Sequence, residues 1–290
     1  MFAASVALWL VAEPVLTPAD GSVGFVVLGA QPVLAIAVTV GLAIGVLVLG
    51  LVTSTTGSPL AGTFVFTSSL LVLACRGGSI SGWFRRTAVP EGYWQLIIET
   101  GIWLALLLIL LVATFVARPR LRKRFVRLAW EPCSGDGLKL RLPKGQALIS
   151  GAICAAVGAG LAFFLIRNAD TGQVVMSLIL AFTVGAMAAH LSLAQPNPLP
   201  ILLSPLIVAL CAYGYVLFKY DNYEQILNAW FGMQSAEPAD GRMPGLALAL
   251  PMHYASAGVM GAVLGLGWAQ TIVEGEAAQA AAKAEAAAAA

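Results

Sequence analysis

Charged side chains are scarce in this chain. Only 10% of the 290 residues are Asp, Glu, Lys or Arg, whereas 59% are hydrophobic. A soluble domain of this length carries about a quarter charged residues, so an ordinary water-soluble fold does not fit. Long uncharged apolar stretches instead predict an all-α, polytopic integral membrane bundle, because helices of about 20 apolar residues cross a bilayer.

Residue types that carry catalysis or bind metals are also few. The chain has two histidines and four cysteines, Cys75, Cys133, Cys154 and Cys211. The cysteines lack the CxxC spacing of zinc or redox sites, and no HExxH, GxSxG or Walker A motif occurs. His190 and His253 are predicted roughly 20 Å apart in membrane depth, too far to share a metal or a haem. We therefore expect no cofactor and no metal, and no enzymatic activity is indicated.

Hydrophobic stretches predict about seven spans, within a range of six to eight. They are expected at residues 31–53, 59–75, 93–117, 147–166, 173–193, 200–218 and 245–272. Residues 1–273 would form one bundle, and the Ala-rich tail 274–290 would extend its last helix. Residues 1–20 meet Glu13-Pro14 too early for a full span, so we expect an interfacial helix there, with an extra span as the alternative. A second interfacial helix is expected within 219–243.

One basic loop, residues 118–146, orients the bundle. Nine of the 16 Lys and Arg residues lie between Arg118 and Lys144. Short basic loops stay in the cytoplasm, so we predict a plasma (inner) membrane protein with its N-terminus outside and its C-terminus in the cytoplasm. The three arginines of the 76–92 loop oppose this orientation but are outnumbered.

The first part of this loop is expected to lie on the membrane surface. Pro119 is expected to end the third span, and a basic amphipathic helix would follow it, although a solvated loop that only sets the topology is the alternative. The candidate contacts to anionic headgroups are Arg118, Arg120, Arg122, Lys123, Arg124 and Arg127. Nucleic acid is not an expected partner, because no soluble fold accompanies the basic cluster.

Ionisable groups within the spans are the candidate ligand or ion sites. Glu99 lies in the third span, with Gln95 one turn earlier, and His253 follows Pro251 in the seventh. Buried charges are costly in a bilayer and often functional, and a broken helix beside a polar group is a common transporter site. Glu99 and His253 would meet at one depth if their helices are neighbours. The alternative is that Glu99 is protonated or reaches water and that His253 bonds a helix carbonyl.

Small residues at intervals of four predict close helix packing. The first span carries Gly41 and Gly45, and the seventh carries Ala257, Gly261 and Gly265 on the face that also holds His253. Such faces let helix backbones approach one another, within the chain or in an assembly with itself or with other membrane subunits.

Three functions are compatible with these features. The sequence slightly favours a small-solute or ion-translocating protein, because of its ionisable groups at membrane depth. An accessory or scaffold subunit of a larger membrane complex is the main alternative, supported by the small-residue faces. A membrane-embedded lipid-modifying enzyme is the third, but it lacks a visible nucleophile–base pair or metal cluster.

Overall fold

The described part of the protein consists of helices and short connecting segments, with no strand among the described residues. The computed structural model describes residues 32–56, 58–76, 78–82, 92–124, 143–194, 197–220, 223–231 and 243–289. Its first seven helices are α1 (Pro32–Thr56), α2 (Pro59–Arg76), α3 (Gly92–Arg124), α4 (Gly145–Leu165), α5 (Thr171–Ser192), α6 (Leu199–Lys219) and α7 (Tyr223–Phe231). The last, α8, starts as Pro251–His253, passes through a π-helical turn at Tyr254–Gly258 and continues as Val259–Ala289.

Five of these helices are long and apolar enough to cross a membrane. They are Gly92–Val116, Gly145–Leu165, Thr171–Ser192, Leu199–Lys219 and Pro251–Glu276. Shorter apolar stretches lie in α1 and α2, at Ile44–Ser54 and Leu60–Cys75. The predicted fold class, a polytopic membrane helical bundle, is therefore confirmed. A helix also forms at α7, within the segment for which an interfacial helix is expected.

Helix α5 packs along both α4 and α8. Helix α6 packs on α4 and α3, and α1 packs on α2 and α3. We call one end of the bundle the upper end: α2, α4 and α6 end there, and α3, α5 and α8 begin there. Thr171 links two of these ends, since its hydroxyl donates to the Gly78 carbonyl at 3.1 Å.

The third helix continues through Pro119, which contradicts the expectation that this proline ends it. Helix α3 runs unbroken to Arg124. Proline cannot donate to the carbonyl four residues earlier, at Phe115, but the loss of one hydrogen bond does not stop a long helix. The first basic residues therefore extend α3 instead of starting a new surface helix. Their side chains, residues 125–142 (which include Arg127) and residues 1–20 lie outside the described residues.

The last span begins later than predicted. Residues 245–250 are not part of it: Gly245–Leu248 form a 3-10 turn, Ala249 and Leu250 are extended, and α8 starts at Pro251. The fixed φ of proline suits the first position of a helix, where its missing N–H costs nothing. Pro251 thus starts a helix and does not kink one. The Ala-rich tail does extend α8, as expected, through Ala289.

Glycines bring α5 and α8 into backbone contact. A Cβ atom on Gly261 would collide with the Ile179 carbonyl, and one on Gly265 would collide with the Thr183 carbonyl. Ala257, one turn before Gly261, is fully buried. The structure thus places the α8 residues predicted to pack against another helix inside the bundle, with α5 as their neighbour.

Gly41 and Gly45, which are also predicted to pack closely against a neighbouring helix, meet no such helix among the described residues. Nothing described lies within 4 Å of a Cβ at either position. The close approach of α1 to α2 occurs further along, where a Cβ on Gly50 would lie 3.0 Å from the Gly62 carbonyl oxygen. A GxxxG spacing predicts close helix packing, but it does not show whether the neighbouring helix belongs to the same chain or to another subunit.

The α5–α8 contact predicts how the bundle responds to single methyl groups. Gly261→Ala and Gly265→Ala should each destabilise the protein by about 1–3 kcal/mol, because a buried methyl must displace backbone. Gly267→Ala is the matched control, since a Cβ there meets nothing within 4 Å. It should be neutral or slightly stabilising, as alanine favours helix over glycine. Thermal melting in detergent measures all three, and equal melting temperatures would show that α5 and α8 do not touch at these glycines.

Candidate functional site

A stretch of non-helical chain is buried at the upper end of the bundle. Met243 to Leu250, here called the buried segment, connects α7 to α8 through the 3-10 turn. Ala247, Leu248 and Ala249 are completely buried. Near its start the segment passes very close to the end of α4. A Cβ atom on residue Gly245 would collide there with the Ile166 carbonyl. Irregular backbone at membrane depth is tolerated only where protein or a cavity surrounds it, and here protein does.

Three buried tyrosines hold the buried segment through their hydroxyl groups. Tyr93 comes from α3, Tyr213 from α6 and Tyr254 from α8, and each is completely buried. Their hydroxyls donate, respectively, to Met243 Sδ at 3.3 Å, to the Ala249 carbonyl at 2.5 Å and to the Leu246 carbonyl at 2.8 Å. The Tyr213 ring centroid is 6.1 Å from that of Tyr93 and 6.4 Å from that of Tyr254. Tyr213 and Tyr254 thus satisfy two backbone carbonyls that no helix satisfies, while Tyr93 holds the Met243 side chain.

His253 closes the junction between the buried segment and α8. The Leu250 backbone N–H donates to His253 Nδ1 at 3.2 Å. Because Nδ1 accepts this bond, the ring carries its proton on Nε2. The Nε2 atom is buried and has no hydrogen-bond partner among the described residues. The Ala74 carbonyl of α2 lies near the ring without meeting hydrogen-bond geometry. The Nε2 atom of His253 is therefore a poorly satisfied donor inside the bundle, with the Ala74 carbonyl as its neighbouring acceptor.

Glu99 lies on α3, the helix that packs against the Pro251–His253 turn. Glu99 is only 2% exposed. The Trp103 indole N–H donates to Glu99 Oε1 at 3.3 Å, and Tyr213 is close enough to interact with the carboxyl electrostatically. The helices of Glu99 and His253 are neighbours, but no hydrogen bond joins the two side chains, since Nδ1 is bonded to Leu250 and Nε2 has no partner.

The remaining polar candidates lie apart from this junction. Gln95, one turn before Glu99, has a buried Oε1 atom without a hydrogen-bond partner in the described part of the chain. His190 lies in the last turn of α5, away from the upper end, and is 6% exposed. The Nδ1 atom of His190 also has no hydrogen-bond partner among the described residues. Within the described residues, no three His, Cys, Asp or Glu side chains lie close enough together to hold a metal ion.

No family model, curated protein or solved structure matches this chain.

The tyrosines and the buried segment are the parts of the site that sequence reasoning missed. The available signal was chemical: a tyrosine in the middle of an apolar helix, such as Tyr213, needs a partner for its hydroxyl. Pro244 lies near the start of the segment, and Pro251 follows its last residue. Prolines at that spacing favour extended or turn conformations over a continuous helix. Which carbonyls the hydroxyls reach depends on helix packing, and local patterns do not encode it.

The tyrosine hydrogen bonds predict that removing the Tyr213 hydroxyl from α6 destabilises the protein more than removing the Tyr215 hydroxyl. Tyr213→Phe should lower the free energy of unfolding by about 1–3 kcal/mol, because the buried Ala249 carbonyl loses its partner. Tyr215→Phe, two residues along the same helix and 49% exposed, should change it by less than about 0.5 kcal/mol. Denaturant unfolding in mild detergent compares the two. Matching losses would mean that the Tyr213 hydroxyl does not support the buried segment.

Proposed function

We propose that this protein translocates a small solute or an ion across the plasma (inner) membrane, at a site on the junction between the buried segment and α8. Transporters commonly place their binding sites where a membrane helix is interrupted and its terminus faces a ligand. The upper end of α8 has this form, with non-helical backbone before Pro251 and a titratable side chain at His253. Glu99 adds a second ionisable group from the adjacent helix α3.

The observation that carries this proposal is the buried Nε2 donor of His253, which makes no well-formed hydrogen bond to any of the described residues. A buried donor left without an acceptor costs about 1–3 kcal/mol, so a protein that retains one has reason to fill it. A ligand oxygen, or a water that moves with the ligand, would accept from Nε2–H. The orientation of the ring is already fixed by the Leu250 bond, so binding needs no rotation of the side chain.

Glu99 supplies the charge in this proposal. Its carboxyl keeps one bond, from Trp103, and an oxygen that can bind a cation or a proton. Carboxylates within spans mark ion and proton pathways in many transporters because their insertion costs about 2.5–3.5 kcal/mol without such a role. Glu99 and His253 therefore act as two separate groups beside one junction and need not bond each other.

Access to the site would come through the buried segment. Its backbone is tied to the bundle by the Tyr213 and Tyr254 hydroxyls and by the bond from the Met243 amide to the Ala229 carbonyl of α7. Breaking a few bonds would therefore open it. The π-helical turn Tyr254–Gly258 follows His253 directly, and π-turns are frequent at functional positions in helices. The α5–α8 glycine contact lies one to two turns deeper and would stay closed during such a movement.

An accessory or scaffold subunit is the second candidate, and one observation favours it. Gly41 and Gly45 form a GxxxG pair on α1 with open space beside both residues. Small residues that meet no helix in the described part of the chain suit a partner helix from another subunit. Native mass spectrometry after gentle extraction distinguishes the two: a defined hetero-complex favours the scaffold, whereas a lone protomer or homo-oligomer favours translocation.

Charge movement in reconstituted liposomes tests the proposed function. On a solid-supported membrane, concentration jumps of protons, monovalent cations, small carboxylates and amino acids should evoke a transient current with at least one of them. Glu99→Gln should abolish that current. His253→Gln should raise the half-saturating concentration roughly tenfold to a hundredfold, the usual effect of losing a hydrogen bond to a charged ligand.

His190→Gln is the matched control, because it removes the other histidine without touching the junction. It should leave the current and its concentration dependence unchanged. Currents that survive in both the Glu99 and His253 variants, or a silent wild type across the whole panel, would contradict the proposal.

A further inference from the structure

A second feature of the upper end is an open cleft where the buried segment enters the bundle. The cleft has a volume of about 450 Å³ and lies between the ends of α4 and α6. The start of the buried segment, including Gly245, forms part of its wall, and Arg167 and Lys219 line it from the two helix ends. It is separate from the junction at His253, which does not line it.

The charge of the cleft is positive. Both Arg167 and Lys219 are exposed, and the described residues that line the cleft include no Asp or Glu. Asp170 is near in sequence but does not line it. Two cations without a carboxylate make a complementary site for a phosphate group, which arginine binds with paired N–H donors.

The apolar part of the cleft faces the region that lipid chains occupy. Phe163 and Phe164 line it with edge-to-face rings 5.6 Å apart, and they are 51% and 65% exposed. Both precede Arg167 on α4, so they lie toward the membrane interior from the two cations. A ligand that fits has an anionic head at the end of the bundle and apolar chains along its side, which is the form of a phospholipid.

The cleft discriminates against a cationic headgroup. The Lys219 ammonium lies 5.3 Å from the Tyr215 ring centroid and 5.5 Å from that of Tyr220. Aromatic faces of this kind bind choline-type groups, but here the protein's own lysine already covers them. A zwitterionic lipid would bring its ammonium beside Arg167 and Lys219 with no ring or carboxylate to receive it.

We propose that the cleft between Arg167 and Lys219 is a binding site for one anionic phospholipid. The phosphate lies between the two cations, and an acyl chain follows Phe163 and Phe164 along α4. The lipid then contacts the wall formed by Gly245, so its binding also stabilises the start of the buried segment. This inference is independent of what the protein translocates.

Native mass spectrometry tests the site with the intact protein in mild detergent. The probes are dioleoyl phosphatidylglycerol and dioleoyl phosphatidylcholine at equal concentration, which share acyl chains and differ in net charge. The wild type should retain one phosphatidylglycerol in preference to phosphatidylcholine. Arg167→Gln with Lys219→Gln should weaken this retention roughly 30-fold, the attraction expected from two basic side chains at a headgroup. Each single substitution should lose part of it.

A charge-preserving variant separates lipid binding from damage to the fold. Arg167→Lys with Lys219→Arg keeps both cations and should retain most of the preference for phosphatidylglycerol. Lys283→Gln removes a single positive charge from the tail of α8 and should leave retention unchanged. Equal retention of the two lipids by the wild type, or full retention by the double glutamine variant, would overturn the site. Displacement of the lipid by glycerol 3-phosphate at the same concentration would show a site for soluble phosphate and would equally contradict it.

Discussion

Every backbone amide and carbonyl buried in the bilayer needs a hydrogen-bond partner, and the upper end of this bundle depends on how that requirement is met. Helices satisfy it internally, but the buried segment before α8 is not a helix. Its carbonyls at Leu246 and Ala249 are bonded by tyrosine hydroxyls from α8 and α6. The amide of Leu250 is bonded by the His253 ring. In the buried segment, side chains thus form hydrogen bonds that the helix backbone forms elsewhere in the bundle.

This arrangement links the packing of the bundle to its proposed function. A segment tied by a few side-chain bonds opens at a lower free energy than a helix bonded along its whole length. The glycine contacts between α5 and α8 keep the rest of the last span fixed, since methyl groups there would collide with α5 carbonyls. The His253 ring lies where the buried segment meets α8.

The sequence was sufficient for the fold class, because long uncharged runs separated by polar interruptions decide it. It also drew attention to Glu99 and His253, which the structure places on neighbouring helices. It failed where tertiary packing decides the outcome. Pro119 lies inside α3 and Pro251 begins α8, although both residues carry the same local signal for a helix boundary or kink.

The tyrosine cluster likewise could not be predicted from local sequence patterns. Tyr93, Tyr213 and Tyr254 are far apart in the chain, and only the packing of α3, α6 and α8 brings their rings together. A sequence indicates that each buried hydroxyl needs an acceptor, but it does not name the acceptor. For Glu99 the nearest partner turned out to be local, the indole of Trp103 one turn along α3.

The protonation of the His253 ring tests this account most directly. With two histidines in the chain, protein labelled with 15N only in histidine contains two imidazole rings, and His190→Gln leaves the His253 ring alone. Solid-state NMR in lipid bilayers then distinguishes the two ring nitrogens. The account predicts a ring protonated at Nε2, with an unprotonated Nδ1 that accepts a bond from the Leu250 amide. A proton on Nδ1 would contradict it, because the junction between the buried segment and α8 would then be closed in some other way.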